Sequence, residues 1–368
     1  MEQKTSDGID SCTSRTAHYP RPHWRLSSSR TLNERAIVVN VSSSMMLGVA
    51  LFFSSRAAGA ESTVALAVEY KISLGDVKGR IDHLAVDIDR QRLYIAELGN
   101  DTVGVVDLRE RKTIRTLTGL KEPQGIGYVS STDTVYVANS SDGSVRLFQG
   151  PDLRAAERID LGDDADNVRV TDAAQQVIVG YGDGALAILD VVRHTKIADI
   201  SLKAHPESFR IEANGRHIYV NVPSAHEIAV IDQATRRQIG AWPTGALNAN
   251  FPLALDESHQ RVLAVFRHPA MLGVFQAQDG RRLASVQTCG DSDDLFVDMK
   301  RSLVYVICGE GYVDVFAARG DSYASLGRIA TLPGARTGLF IPEIDRLTVA
   351  ARARGSEPAA VWVLRPLL

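Results

Sequence analysis

One short apolar unit recurs along this chain at a nearly constant interval. It reads LYIA at 93–96, VYVA at 135–138, VIVG at 177–180, IYVN at 218–221, VLAV at 262–265, VYVI at 304–307 and LTVA at 347–350. Successive starts lie 42, 42, 41, 44, 42 and 43 residues apart. A fixed period of this length means that one supersecondary unit is repeated and that neighbouring copies bury each other's apolar faces.

Each copy has the same internal order. A short apolar strand (LAVD 84–87, LALD 253–256, LFVD 295–298) leads through a charged turn into the recurring unit. A Gly-rich or polar loop follows, then a third strand (VGVVDL 103–108, LAILDV 186–191, IAVIDQ 228–233), then a more polar fourth (TIRTLTG 113–119). Val, Ile, Tyr and Thr fill the strands, while Gly, Asp and Asn punctuate the turns. Four strands per copy and seven copies predict an all-β fold, a seven-bladed β-propeller. The seventh copy stops after its third strand, and residues 64–74 (VALAVEYKISL) precede the first copy as an orphan strand. Pairing the two closes the ring and removes two sheet edges.

The first sixty residues follow another pattern. Residues 1–35 are polar and aperiodic, which predicts a disordered extension or a start placed too far upstream. Residues 36–60 carry an apolar core, MMLGVALFF, and end on Ala58-Gly59-Ala60, a small-residue cleavage pattern. This predicts a signal peptide, a propeller over 61–368 with no transmembrane domain, and a periplasmic or secreted location. The apolar run is too short and too interrupted for a membrane span. Export would leave Cys289 and Cys308, which either form a disulfide or remain as two buried thiols. We expect a monomer.

The units VYVAN 135–139 and IYVN 218–221, with VGVVD 103–107 and IAVID 228–232, resemble the YVTN-repeat, YncE-like propeller proteins. DADNVRV 164–170, HPESF 205–209, NFPLALDE 250–257 and GDSDDLFVD 290–298 are similar to a group of exported bacterial members. The resemblance implies the propeller and carries over no catalytic residue. More remotely, it links the chain to lactonase-type propellers that hold a divalent cation in the channel.

The first strand of each blade lines the channel, so the residues before it sit at the channel mouth. Aligning the copies on Leu84, Ile126, Val168, Phe209, Leu253, Leu295 and Leu339 places Asp82, Gln124, Asp166, Glu207, Phe251, Asp293 and Thr337 at one ring position. The next position holds His83, Gly125, Asn167, Ser208, Pro252, Asp294 and Gly338. Carboxylates this close either raise one another's pKa or require a cation. Asp82, Asp166, Asn167, Glu207, Asp293 and Asp294 are therefore candidate ligands for Ca²⁺ or Mg²⁺. His83 and His205 are candidate proton carriers for metal-assisted hydrolysis of a lactone or for lyase chemistry. Gln124, Asn250, Arg267 and Arg336 are candidate contacts to a small polar, zwitterionic or carboxylate-bearing ligand. Arg169, on a strand, is expected to pair with a neighbouring blade.

The alternative is a non-catalytic binding or scaffold protein of the cell envelope. The formal net charge of -3 argues against nucleic acid as partner. No P-loop, GxGxxG, HExxH, GxSxG or CxxCH motif occurs.

Overall fold

The computed structural model describes residues 65–171, 176–213 and 215–368. The extension expected at 1–35 and the signal peptide expected at 36–60 lie outside the described residues. Within the described residues, seven antiparallel four-stranded sheets form the blades of a propeller. The innermost strands are Leu84–Asp87, Pro123–Val129, Val168–Val170, Phe209–Ile211, Asn248–Asp256, Ser292–Asp298 and Thr337–Ile341. Each touches the innermost strand of the next blade, and the last touches the first, so the ring is closed.

Closure is made as the sequence predicts. Leu66–Ser73 pairs antiparallel with Ala360–Pro366 and becomes the outer strand of blade 7. The first residues of the propeller thereby lock onto its last ones.

The strands read as continuous apolar runs because both faces are covered by neighbouring blades. In blade 2 every residue of Thr134–Asn139 is buried, while the outer strand Arg154–Asp160 is almost wholly exposed. Seven apolar clusters result, each between one blade and the next. Tyr94, Tyr136, Tyr219 and Tyr305 occupy equivalent positions of the second strand and are fully buried. Burial of one such side chain is worth roughly 2–3 kcal/mol.

Acids at the far ends of the innermost strands staple neighbouring blades together. Arg301 bridges Asp298 in its own blade (3.0 Å) and Asp345 in the next (2.6 Å). Arg90 does the same between Asp87 and Asp133, at 2.8 Å to each. Forked guanidinium–carboxylate pairing fixes geometry as well as charge. The near ends of the same strands open the mouth.

Candidate site at the channel mouth

The residues that lead into each innermost strand are extended, so their side chains alternate. Three positions before the residue that pairs with the third of the recurring unit, all seven side chains are buried: Ile81, Pro123, Ala165, Pro206, Asn250, Ser292 and Ala335. One step on, they turn to the channel. Gly125 allows two lead-ins to close up, since a Cβ there would lie 2.0 Å from the Asp166 carbonyl oxygen.

Strand pairing corrects the sequence alignment in one blade. Leu84 pairs with Ile95, the third residue of the recurring unit, and the other blades follow this register. In blade 7 the residue opposite the third position, Val349, is Gly338 and not Leu339. The ring residue is therefore Arg336; Thr337 is buried and its hydroxyl donates to the Ile81 carbonyl. The corrected ring is Asp82, Gln124, Asp166, Glu207, Phe251, Asp293 and Arg336. All seven line one cavity of about 230 Å³, together with Arg80, His83, Asp164, His205 and Arg267.

The acids do not face one another alone. Arg80 Nη2 lies 2.8 Å from Asp82 Oδ2. Asp293 is held from two sides, by Arg267 Nη2 and by Arg336 Nε, both at 2.8 Å. Arg336 also reaches Asp291 (3.1 Å), and the Arg267 guanidinium stacks 3.7 Å from the Phe251 ring centroid. His83 sits between Asp294 (3.5 Å) and Asp82 (3.8 Å). His205 approaches Asp164 (3.6 Å) and Asp166 (3.9 Å), and its Nδ1 lies 2.7 Å from the Gly182 carbonyl oxygen.

Burial and charge then pull in opposite directions. Burial alone would lower the His83 pKa, but Asp294, Asp82 and Asp166 outweigh it and raise it to about 10. His205 is likewise raised to about 9: burial lowers it, but Asp166, the Gly182 carbonyl and Asp164 prevail. Burial pushes Asp82 up to about 7 despite His83 and Arg80, and pushes Glu207 up to about 8, with Asp166 and Asp293 adding to the effect. Asp166 goes the other way, because the nearby His205 imidazole and the charges of His83 and Arg80 overcome burial. Two equivalent ring aspartates thus differ in protonation through their neighbours.

Three of the sequence-based candidates do not reach the cavity. Asn250 is fully buried and donates to Asn221 (2.9 Å) and to the Glu227 carbonyl (3.1 Å). Asn167 gives its side-chain oxygen to Arg169 at 3.0 Å. Asp294 lies behind His83, with its Oδ2 accepting the Gly338 amide at 2.9 Å. Arg80 and Asp164 escaped the sequence reading. They sit two residues upstream of the ring position, on the same side of the extended lead-in, so the period of two carried one step further would have found them. His205 and Asp291 occupy that same outer layer.

The cavity fits a divalent cation poorly. Three arginines and two protonated imidazoles already answer the carboxylates, and a protonated histidine has no lone pair for a metal. Among the described residues, no three His, Cys, Asp or Glu side chains converge as a metal site. Asp166 Oδ1 is nevertheless buried and accepts no hydrogen bond, and Asp82 Oδ2 has only its ion pair with Arg80.

Cys289 and Cys308 form a disulfide, 19 residues apart in sequence. It ties the blade 6 lead-in to the end of that blade's second strand. Gly290 and Gly309 continue the clamp, through bonds to Glu310 (2.8 Å) and to the Asp291 carbonyl (2.7 Å). The loop carrying Asp291, Asp293 and Asp294 is thereby fixed at both ends.

These features define a seven-bladed β-propeller with a charge-paired channel mouth. Among solved structures it is similar to hydrazine synthase from Kuenenia stuttgartiensis, with a TM-score of 0.67 and 14% identity over 80% of this chain and 97% of that one. At this identity the likeness concerns the fold. No protein-family model matches the chain, and no curated protein matches it by sequence. Among the described residues, no helix is long and apolar enough to cross a membrane.

Proposed function

We propose that this chain is an exported, YncE-like propeller that binds a small zwitterion, one bearing both a carboxylate and an ammonium group, at its channel mouth. The observation that carries the reading is the buried, unsatisfied Oδ1 of Asp166, a residue that lines the same cavity as Glu207, Arg267 and Arg336. A buried acceptor without a donor is costly, and a donor supplied by a ligand removes that cost. An ammonium group on Asp166 and Glu207 and a carboxylate on Arg336 and Arg80 would satisfy both walls. The disulfide supports an oxidising compartment and so agrees with export. The broad cell-envelope scaffold role remains the competing reading.

A hydrolytic version has one feature in its favour. Asp82 and Glu207 are held near neutrality, where a carboxyl group can both give and take a proton. His83 and His205, held protonated, could serve as acids and electrostatic anchors but not as bases.

Calorimetric titration with amino acids, betaines, dicarboxylates, lactones, Ca²⁺ and Mg²⁺ tests these readings. Zwitterions should bind, and Asp166→Asn and Arg336→Ala should each weaken binding tenfold or more. Stoichiometric Ca²⁺ or Mg²⁺ binding lost in Asp166→Asn would replace the zwitterion by a metal. Turnover of a lactone would establish the hydrolytic version. No heat from any of these compounds would leave the scaffold reading.

A further inference from the structure

Below the mouth, the innermost strands of blades 3 and 4 carry arginine at the same register position. Arg169 pairs with Ile178 and Arg210 with Tyr219, the second residues of their recurring units. Uncharged residues occupy that position elsewhere: Ala85, Gly127 and Ala254 in blades 1, 2 and 5, and Phe296 and Leu339 in blades 6 and 7. The expectation that Arg169 forms an ion pair with a neighbouring blade is not met. Its donors go to neutral oxygens: the carbonyls of Val168 (2.7 Å) and Phe209 (3.1 Å), Asn167 Oδ1 (3.0 Å) and Ser208 Oγ (3.2 Å). Arg210 uses Nη1 alone, on the Phe209 carbonyl (3.0 Å) and Ser208 Oγ (3.3 Å). Among the described residues neither guanidinium forms an ion pair with a carboxylate.

The two side chains are half-buried and close enough to repel each other. Burial lowers the Arg169 pKa, and the Arg210 charge lowers it further, against the weaker pull of Asp294 and Asp166. Asp294 acts on Arg210 as well, but its carboxylate is already engaged by His83 and the Gly338 amide. Two like charges withdrawn from water without a counter-charge are costly unless something compensates them. A guanidinium fork matches the oxygens of a carboxylate or phosphate.

We propose that Arg169 and Arg210 form an anion site inside the channel, below the mouth, that takes a small oxyanion such as phosphate, sulfate or a carboxylate. The Nε and Nη2 donors of Arg210 supply the open hydrogen bonds, and Arg169 supplies the second charge. The site is independent of the zwitterion reading, since no mouth residue belongs to it. The anion is either a free inorganic ion or the acid end of a longer molecule threaded from the mouth.

Inorganic phosphate, titrated calorimetrically into the purified chain at constant ionic strength, is the probe. Binding is expected, with a rise in melting temperature beyond that given by matched NaCl. Arg210→Gln should weaken it at least tenfold and Arg336→Ala less than threefold. In phosphate-free buffer Arg210→Gln should melt no lower than the wild type, because it relieves repulsion. Absence of phosphate binding, or binding that survives Arg210→Gln and is lost in Arg336→Ala, would overturn the proposal. So would a melting temperature several degrees lower for Arg210→Gln without phosphate. Phosphate binding alone identifies a free-ion site; if a phosphorylated or dicarboxylate compound binds at least tenfold tighter and loses this gain in Arg336→Ala, the threaded form holds.

Discussion

The two ends of the innermost strand of blade 6 carry aspartates in contrasting settings. Asp298 closes the strand and joins the staple in which Arg301 forks onto Asp345 and the Tyr305 hydroxyl donates at 2.8 Å. Asp293 opens it and enters the crowded mouth between Arg267 and Arg336. At the staple, hydrogen bonds from Arg301 pull Asp345 down to about 2. At the mouth, burial pushes Asp293 up despite its two arginines, and Asp82 up to about 7. Similar ion pairs thus have opposite effects. Near solvent the paired charge is favoured, whereas in the cavity loss of hydration outweighs the attraction. The staple builds the ring; the mouth stores charge that an outside ligand can use.

The largest test of this contrast is the disulfide, which anchors only the mouth end of blade 6. Cys289→Ser with Cys308→Ser should cost about 3 kcal/mol, read by denaturant unfolding with and without reductant. It should also weaken ligand binding, because the Asp291–Asp294 loop loses its anchor. A loss below about 1 kcal/mol would mean that the hydrogen-bond clamp holds the loop unaided.

Next come matched neutralisations at the two ends. At pH 7 Asp345→Asn should destabilise by roughly 1–2 kcal/mol, allowing for partial exposure of the pair. The Asp345 pKa falls from 3.8 to about 2 on folding, so its contribution is present above about pH 4 and fades as the pH drops toward 2. Asp82→Asn at pH 8 should be neutral or stabilising, because the charge it removes is disfavoured. Equal losses at both sites in thermal melts would erase the distinction.

The smallest effect is a slope. Asp82 and Glu207 keep their protons in the folded chain until about pH 7 and 8, while the unfolded chain releases them near 3.8 and 4.5. His83 and His205 keep theirs to about 10 and 9, against 6.5 unfolded. In both windows the folded state binds more protons, so the mouth's contribution to stability falls as pH rises. The wild-type melting temperature should therefore decline from pH 6 to 9.5, and His83→Gln should flatten the decline. An unchanged slope in that variant would show that His83 is not protonated as described.

Much of this could be read from residues alone. The repeat announced the blades, the truncated seventh copy announced the closure by residues 64–74, and alignment of the copies announced that Asp82, Asp166, Glu207 and Asp293 share a layer. Blade 7 slipped by one because Gly338 has no side chain to mark the start of its strand. Only its pairing with Val349 put Arg336 in the ring. Asn250 misled because polar character does not reveal direction; its position in the alternation turns it inward to Asn221.

The sequence by itself determined the ring, because a periodic apolar pattern can bury its faces only against copies of itself. It also determined that acids gather at one end of the channel. Tertiary structure decided which cations meet those acids and which protons they keep. Arg80 and His83 come from blade 1, and His205, Arg267 and Arg336 from three others. Electrostatic energy depends on distance and hydration, and neither exists until the blades close.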